Sequence, residues 1–279
     1  MINLIQRTLV ALVFIPLFLA LDRWGGVGGL AFLVIPVAIL AQREFYRMTP
    51  GPARKTGAWL SCLIGVLFLL GFWRMAEGRL SGEILLVLLG FSVTALLAVC
   101  VLLGDGQDRT GGFAPLFAGI LYIPFGIGFI LLLRALPGGN ALVLFLAGLT
   151  WVVDIFRYVI GKSVGRRPLS PSLSPKKTWE GAIGGVVGGL LWADLMHHVL
   201  VPAIPSWDLF WGALLLSVWG QVGDLSESAF KRASGIKDSG SGIPGHGGFF
   251  DRIDSLLFNA VAFYTFLILF EGYSARFWV

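Results

Sequence analysis

Charge is scarce in this chain. Its 279 residues carry 21 Lys+Arg and 16 Asp+Glu, or 13%, about half of the roughly 25% usual for a soluble domain. Cysteine and histidine are scarcer still, at two and three. Cys62 and Cys100 each sit inside an apolar run, so they form neither a disulfide framework nor a metal-ligand spacing, and both read as packing residues. What is abundant is apolar: 56% of residues are hydrophobic, 38 more are glycine, and mean hydropathy is +0.83. That composition excludes a water-soluble globule. It excludes a disordered chain too, because such chains are polar and poor in aromatics. The protein treats lipid as its solvent.

Nine apolar stretches follow one another, at residues 8–21, 24–41, 57–73, 84–103, 112–133, 140–160, 181–203, 209–230 and 253–273. Each approaches the about 20 residues a helix needs to cross a bilayer. Backbone groups in lipid must be satisfied within the segment, and none of the stretches alternates as barrel strands do. The expected fold is therefore all-α, a polytopic integral membrane protein of about nine transmembrane helices. The first stretch follows Arg7 and resembles a signal peptide, but Pro16 interrupts it and further apolar runs follow at once, so it is read as a retained span. Residues 1–139 form an N-terminal set of about five spans. Residues 140–279 form a C-terminal region of about four spans with loops at 161–180 and 231–252. With nine spans, 16 of the 21 basic residues fall on the side of the N-terminus. Positive charge stays in the cytoplasm, so the N-terminus and both basic loops are expected inside. The net charge of +5 suits anionic headgroups and is equally ordinary for cytoplasmic loops.

The few polar residues gather. Residues 154–254 hold nine of the 16 acids, ten of the 21 bases and all three histidines. Asp224, Glu227, Ser228 and Lys231 stand at i, i+3, i+4 and i+7, on one face of a helix whose preceding turns are apolar. Asp251, Asp254, Ser255 and Asn259 share a face at the start of the last span, where one acid also suits the helix dipole. Carboxylates from two helix ends can converge on a cation, and hard oxygen donors point to Mg²⁺ rather than zinc. Between them lies Lys237-Asp238-Ser239-Gly240-Ser241-Gly242-Ile243-Pro244-Gly245-His246-Gly247-Gly248, with five glycines in nine positions. Such a backbone can curl its N–H groups around an anion, and the segment leads into a helix N-terminus, which favours phosphate. It has no Walker pattern and no Rossmann fingerprint. His246 is as readily structural as catalytic. Ser174-Pro175-Lys176-Lys177-Thr178 precedes the seventh span; its lysines and hydroxyls suit phosphate, or a membrane anchor with Trp179 at the interface. Gly181, Gly185 and Gly189 let another helix approach closely. Acids, cations and a flexible loop together fit phosphoryl or nucleotidyl transfer, here to a lipid phosphate at the membrane surface.

The same residues resemble the signature of the phosphatidate cytidylyltransferases. The resemblance lies in Ser228-Ala229-Phe230-Lys231-Arg232, Lys237-Asp238, Pro244-Gly245-His246-Gly247-Gly248 and Asp251-Arg252-Ile253-Asp254. Gly223-Asp224-Leu225 and Ser174 to Gly181 add to it, so the motifs cover about the C-terminal 45% of the chain. The N-terminal half is similar only as a set of membrane helices. The resemblance implies transfer of the cytidylyl group of CTP to phosphatidic acid, giving CDP-diacylglycerol and pyrophosphate. It implies a metal site at Asp224 and Asp251, with Asp254 beside them, holding Mg²⁺ with K⁺ as a second ion. Catalytic candidates are Asp224, Asp251, Lys231, Lys237 and His246. Substrate-binding candidates are Ser174, Lys176, Lys177, Thr178, Glu227, Arg232, Asp238, Ser239, Gly247, Gly248 and Arg252. A homodimer and a site facing the cytoplasm, in an inner membrane, are also implied.

One segment departs from the family pattern. Where small residues usually follow the intramembrane acid, the chain reads Asp154-Ile155-Phe156-Arg157-Tyr158. Asp154 and Arg157 can pair at i, i+3 and neutralise each other, and bulky Ile155 and Phe156 are expected to narrow the cavity. Two other readings stand beside the main one: a related CTP-dependent enzyme acting on another lipid acceptor, and a cation-coupled transporter. Nucleic acid is not an expected partner, because the bases lie in short loops between spans.

Overall fold

A computed structural model of the chain describes residues 2–48, 54–103, 112–236, 239–240, 242–243 and 247–270. Among these residues the elements are helices α1 (Ile2–Met48), α2 (Arg54–Ala76), α3 (Glu83–Leu103), α4 (Phe113–Ile120), α5 (Gly126–Ala135) and α6 (Gly139–Val164), strands β1 (Pro168–Ser170) and β2 (Ser174–Thr178), and helices α7 (Trp179–His197), α8 (Ser206–Ala233) and α9 (Phe250–Phe270). Among the described residues, six stretches are long and apolar enough to cross a membrane: Leu12–Met48, Gly57–Ala76, Glu83–Leu102, Phe113–Ala135, Gly139–Val164 and Phe250–Phe270. The remaining expected spans also fold as helices. In α7 the apolar run is diluted by glycines and by Glu180, Asp194 and His197. In α8 it is diluted by Asp208, Gln221, Asp224 and Glu227.

The first two apolar stretches form one element with an internal break. Gly26 adopts φ 58, ψ −145 within α1, in the positive-φ region that L side chains rarely enter. Arg134 of α5 reaches the turn before that break. Its Nε lies 2.7 Å from Asp22 Oδ1, and its Nη2 donates to the Asp22 carbonyl at 2.8 Å. The fifth stretch is one continuous span made of α4, a π-helical turn at Leu121–Phe125, and α5. Pro124 lies in that turn, where the wider winding accommodates a residue without an N–H.

The described residues fall into two compact units: those within Met1–Ala135 and Ala233–Ile253, and those within Leu136–Arg232 and Asp254–Ser274. The first unit is held by aromatic packing and by buried polar contacts. Phe72 meets Phe125 and Phe129 edge-on or tilted, at centroid distances of 5.6 and 5.2 Å. Gln42 donates to Tyr46 Oη and to the Ser61 carbonyl, both at 3.0 Å, and Tyr46 donates to the Leu116 carbonyl at 2.8 Å. These bonds tie α1, α2 and α4 together where water is absent and an unmade bond is expensive. Cys62 and Cys100 are buried free thiols, consistent with packing roles.

Glycine sets the helix spacing in the second unit. A Cβ on Gly181 would lie 2.8 Å from the Arg157 carbonyl and 3.0 Å from Gly161 Cα, so α6 and α7 touch backbone to backbone. Gly185 faces Val153, and Gly189 faces Ser217 of α8, so all three glycines of the four-residue series lie at helix contacts. Gly220 and Gly223 of α8 do the same for α9, lying against Asn259 and the Asp254 carbonyl. The strands form a short antiparallel ribbon, with Pro168 opposite Thr178 and Ser170 opposite Ser174. No apolar periodicity announces it, because its burial is partial and its strands are three and five residues long.

Candidate active site

The stripe on α8 closes into a site in the second unit. Asp224, Glu227 and Ser228 are all buried, with Glu227 only 2% exposed. An oxygen from each of the Asp224, Glu227 and Asp254 carboxylates lies within 4.8 Å of the others. The close approach permitted by Gly223 brings the α9 backbone at Asp254 against α8. Three buried carboxylates at that spacing repel one another unless cations intervene. Three do. Lys177 Nζ lies 2.6 Å from Asp224 Oδ1, Arg157 pairs with Asp224 Oδ2, and Lys231 Nζ lies 2.7 Å from Glu227 Oε2. Arg157 also grips Asp154 at 2.9 Å through its other terminal nitrogen.

Each cation arrives for a local reason. Neighbouring residues of a strand point to opposite faces, so β2 turns Lys177 toward α8 and leaves Lys176 exposed. Lys177 also lies 3.3 Å from Ser228 Oγ, which itself donates to the Asp224 carbonyl at 2.9 Å. Thr178 ends the strand and caps α7, its hydroxyl accepting from Gly181 N at 3.1 Å, the usual role of a Thr at that position. Ser174 pairs with Ser170 across the ribbon. Arg232 Nε donates to the Leu173 carbonyl at 3.1 Å and ties the end of α8 to the ribbon. Glu180 accepts from the backbone N–H groups of Arg166 and Arg167 at 3.0 and 3.3 Å, and these bonds hold its carboxyl below the ordinary glutamate range. Asn259 donates to Thr150 Oγ1 at 3.2 Å and so links α9 to α6.

The atypical segment of α6 therefore does more than neutralise itself. The expected Asp154–Arg157 pair forms, but Arg157 also holds Asp224. Nothing in the spacing along one helix could have supplied that second partner. Ile155 is 58% exposed, and Phe156 lies over Gly188 of α7.

The glycine-rich segment is described at residues 239–240, 242–243 and 247–248, in the first unit. Lys237, Asp238 and His246 lie outside the described residues. The described N–H groups do converge on an anion, and it is a carboxylate of the chain itself. Asp251 accepts from Gly248 N at 2.9 Å and from Ser239 N at 3.2 Å, and Ile243 N donates to the Gly247 carbonyl at 2.9 Å. Gly247 has φ 83, a conformation that explains its identity. Arg252 is exposed. A residue the sequence reading passed over is Glu44 of α1, whose Oε2 accepts from Ser239 Oγ at 3.2 Å and from Phe250 N at 3.0 Å. Its signal was an acid near the end of an apolar run, masked by Arg43 and Arg47, which look like ordinary membrane anchors.

The donor set fits a hard divalent cation. Asp224, Glu227 and Asp254 offer carboxylate oxygens within reach of one centre, with no sulfur or imidazole among them, as Mg²⁺ prefers. Of the three acids first named as metal ligands, Asp224 and Asp254 belong to this group. Glu227, first grouped with the substrate-binding residues, completes it.

Comparison with known proteins agrees with this chemistry. Residues 5–270 match the Cytidylyltransferase family, and the chain belongs to that family. It is 38% identical to a phosphatidate cytidylyltransferase of Brucella abortus over 277 residues, covering 97% of this chain and 95% of that protein. It is 36% identical to a phosphatidate cytidylyltransferase of Bacillus subtilis, covering 97% and 100%. An uncharacterized protein of Escherichia coli, YnbB, is 41% identical over 60% of this chain and 57% of its own length.

Proposed function

We propose that the protein transfers the cytidylyl group of CTP to phosphatidic acid, giving CDP-diacylglycerol and pyrophosphate. The observation that carries this reading is the buried cluster of Asp224, Glu227 and Asp254, with Arg157 and Lys177 on Asp224 and Lys231 on Glu227, on a chain of the Cytidylyltransferase family. An oxygen of the lipid phosphate forms a bond to the α-phosphorus of CTP. The bond from that phosphorus to its bridging oxygen breaks, and the oxygen leaves with the electron pair as part of pyrophosphate. Little covalent work falls to the protein in such a reaction, so its contribution is positioning and charge stabilisation.

The chain's own residues divide that work. Lys177, Arg157 and Lys231 each already hold a carboxylate, and they could turn to phosphate oxygens where a divalent cation took up Asp224 and Glu227 in their place. Lys176, Arg232, Lys237 and Arg252, with Ser174 and Thr178, form the wider set of phosphate-binding groups. Ser239, Gly247, Gly248 and Asp238 belong to the glycine-rich loop, which this reading gives to the phosphates of CTP, and Lys237 and His246 remain catalytic candidates. Asp224, Glu227 and Asp254 would hold Mg²⁺, with Asp251 assigned to the same role by the family resemblance and K⁺ as a second ion. Mg²⁺ bound there supplies neutralisation of the phosphate oxygens. The protein crosses the inner membrane nine times with its N-terminus in the cytoplasm, acts as a homodimer, and presents its site to cytoplasmic CTP.

The deciding assay is pyrophosphate release by purified protein in mixed micelles. Release is expected only with CTP and phosphatidic acid together, lost on chelation with EDTA and restored by Mg²⁺. No release with phosphatidic acid, but release with another lipid phosphate or a lipid alcohol, would overturn the acceptor assignment. Release that persists in EDTA would overturn the metal assignment.

A further inference from the structure

Glu44 is buried in the first unit, only 5% exposed, yet it stands on α1, almost two hundred residues before the segment it touches. Its Oε2 accepts two hydrogen bonds, from Ser239 Oγ at 3.2 Å and from the backbone N–H of Phe250 at 3.0 Å. Phe250 opens α9, so the second bond places a carboxylate on the positive end of a helix. The same junction is braced by rings: Phe45 and Tyr122 meet Phe250 edge-on at 5.7 and 5.4 Å. Glycine lets this carboxylate come close. A Cβ on Gly240 would lie 2.6 Å from Glu44 Oε1, one on Gly242 would meet the Phe249 ring at 2.9 Å and Glu44 Oε1 at 3.1 Å, and one on Gly248 would collide with Ser239 Oγ and Glu44 Oε2.

We infer that Glu44 is a positioning residue for the reaction: it fastens the glycine-rich segment and the first turn of α9 to α1. It acts through Ser239, Gly248 and Phe250 and touches no reacting atom. A buried carboxylate that orders a glycine-rich backbone removes the entropy which such a segment would otherwise lose when a ligand binds. Asp251 takes the neighbouring N–H groups of Ser239 and Gly248, so two carboxylates, far apart in the sequence, hold the same segment. The inference rests on the reading of this segment as the nucleotide-handling part of the site.

The test compares Glu44→Ala, Glu44→Asp and Glu44→Gln in the full-length protein in mixed micelles. It reads backbone hydrogen exchange over residues 239–250 and the separate KM values for CTP and phosphatidic acid. Loss of two hydrogen bonds from one charged acceptor is expected to raise KM for CTP about tenfold in Glu44→Ala. The KM for phosphatidic acid should stay within about twofold, and exchange over 239–250 should speed up. Glu44→Gln keeps an acceptor of the same length and should stay near wild type. Glu44→Asp keeps the charge but falls one methylene short and should show the same split at smaller size; it serves if the alanine variant does not fold. Unchanged exchange in both the alanine and aspartate variants would overturn the anchoring. Faster exchange with an unchanged KM for CTP would leave the anchor standing and overturn its role in the reaction, whereas wild-type exchange over 239–250 that saturating CTP fails to slow would overturn the reading of the segment as nucleotide-handling.

Discussion

Asp224 accepts two cations from two different elements, Arg157 of α6 and Lys177 of β2, and it is one of three carboxylates that share a centre. Replacing it by Asn removes the charge that balances both cations and leaves a poor ligand for Mg²⁺. The expected loss in kcat for Asp224→Asn is about 10²- to 10³-fold, the scale for removing one preorganised electrostatic group. Normal amounts of inserted protein are expected. Asp154→Asn provides the contrast. Its side chain is 44% exposed, it stands outside the group of three carboxylates, and Arg157 keeps Asp224. A smaller loss than for Asp224→Asn is expected there, and steady-state pyrophosphate release checks both variants. At this scale the sequence was informative about residue type and silent about pairing. The one-face stripe Asp224–Glu227–Ser228–Lys231 follows from helical spacing alone. That Lys177 rather than Lys176 meets the stripe depends on which way a five-residue strand is turned. That Glu44 belongs with Ser239 depends on long-range packing.

The elements that carry these residues are spaced by glycine, and the spacing is testable. A methyl group at Gly181 would press on the Arg157 carbonyl and on Gly161 Cα. Both are backbone atoms on a packed helix, so α6 and α7 must part. Gly181→Ala is expected to destabilise the protein by about 1–3 kcal/mol. Activity should fall further than stability predicts, because the strain falls on the backbone of Arg157 and beside Thr178. Gly90, in α3, has nothing within 4 Å of an added Cβ, so Gly90→Ala is expected to stabilise by about 0.4–1 kcal/mol through the unfolded state. Thermal unfolding in detergent distinguishes the two. The four-residue glycine series on α7 marks a close helix contact in the sequence itself. The glycines of α8 do not, since Gly220 and Gly223 are not part of such a series. The ribbon of β1 and β2 was also invisible, because its strands are too short for alternation to stand out.

At the scale of the whole chain the open quantity is the number of crossings. The stretch Leu12–Met48 is 37 residues long, far more than the about 20 needed for one crossing, and it contains the break at Gly26. Two crossings by α1, together with crossings by α7 and α8, make nine and put the termini on opposite sides. A single crossing by α1 makes eight and puts them on the same side. With 16 of 21 bases on one predicted side, the N-terminus is expected in the cytoplasm and the C-terminus outside. Reporter fusions at each end read this directly, and a cytoplasmic C-terminus would sink the nine-crossing arrangement.

Composition alone determined that this is a membrane protein, because 13% charge cannot cover a soluble surface. The residue types and spacings of the C-terminal motifs were enough to indicate the chemistry, because helical periodicity puts acids on one face without help from the rest of the fold. Tertiary structure alone decided the partners. A carboxylate costs too much to bury unpaired, but many basic residues can pay that cost, and only packing selects among them. It selected Arg157 and Lys177 for Asp224, and the Ser239 hydroxyl and the Phe250 N–H for Glu44.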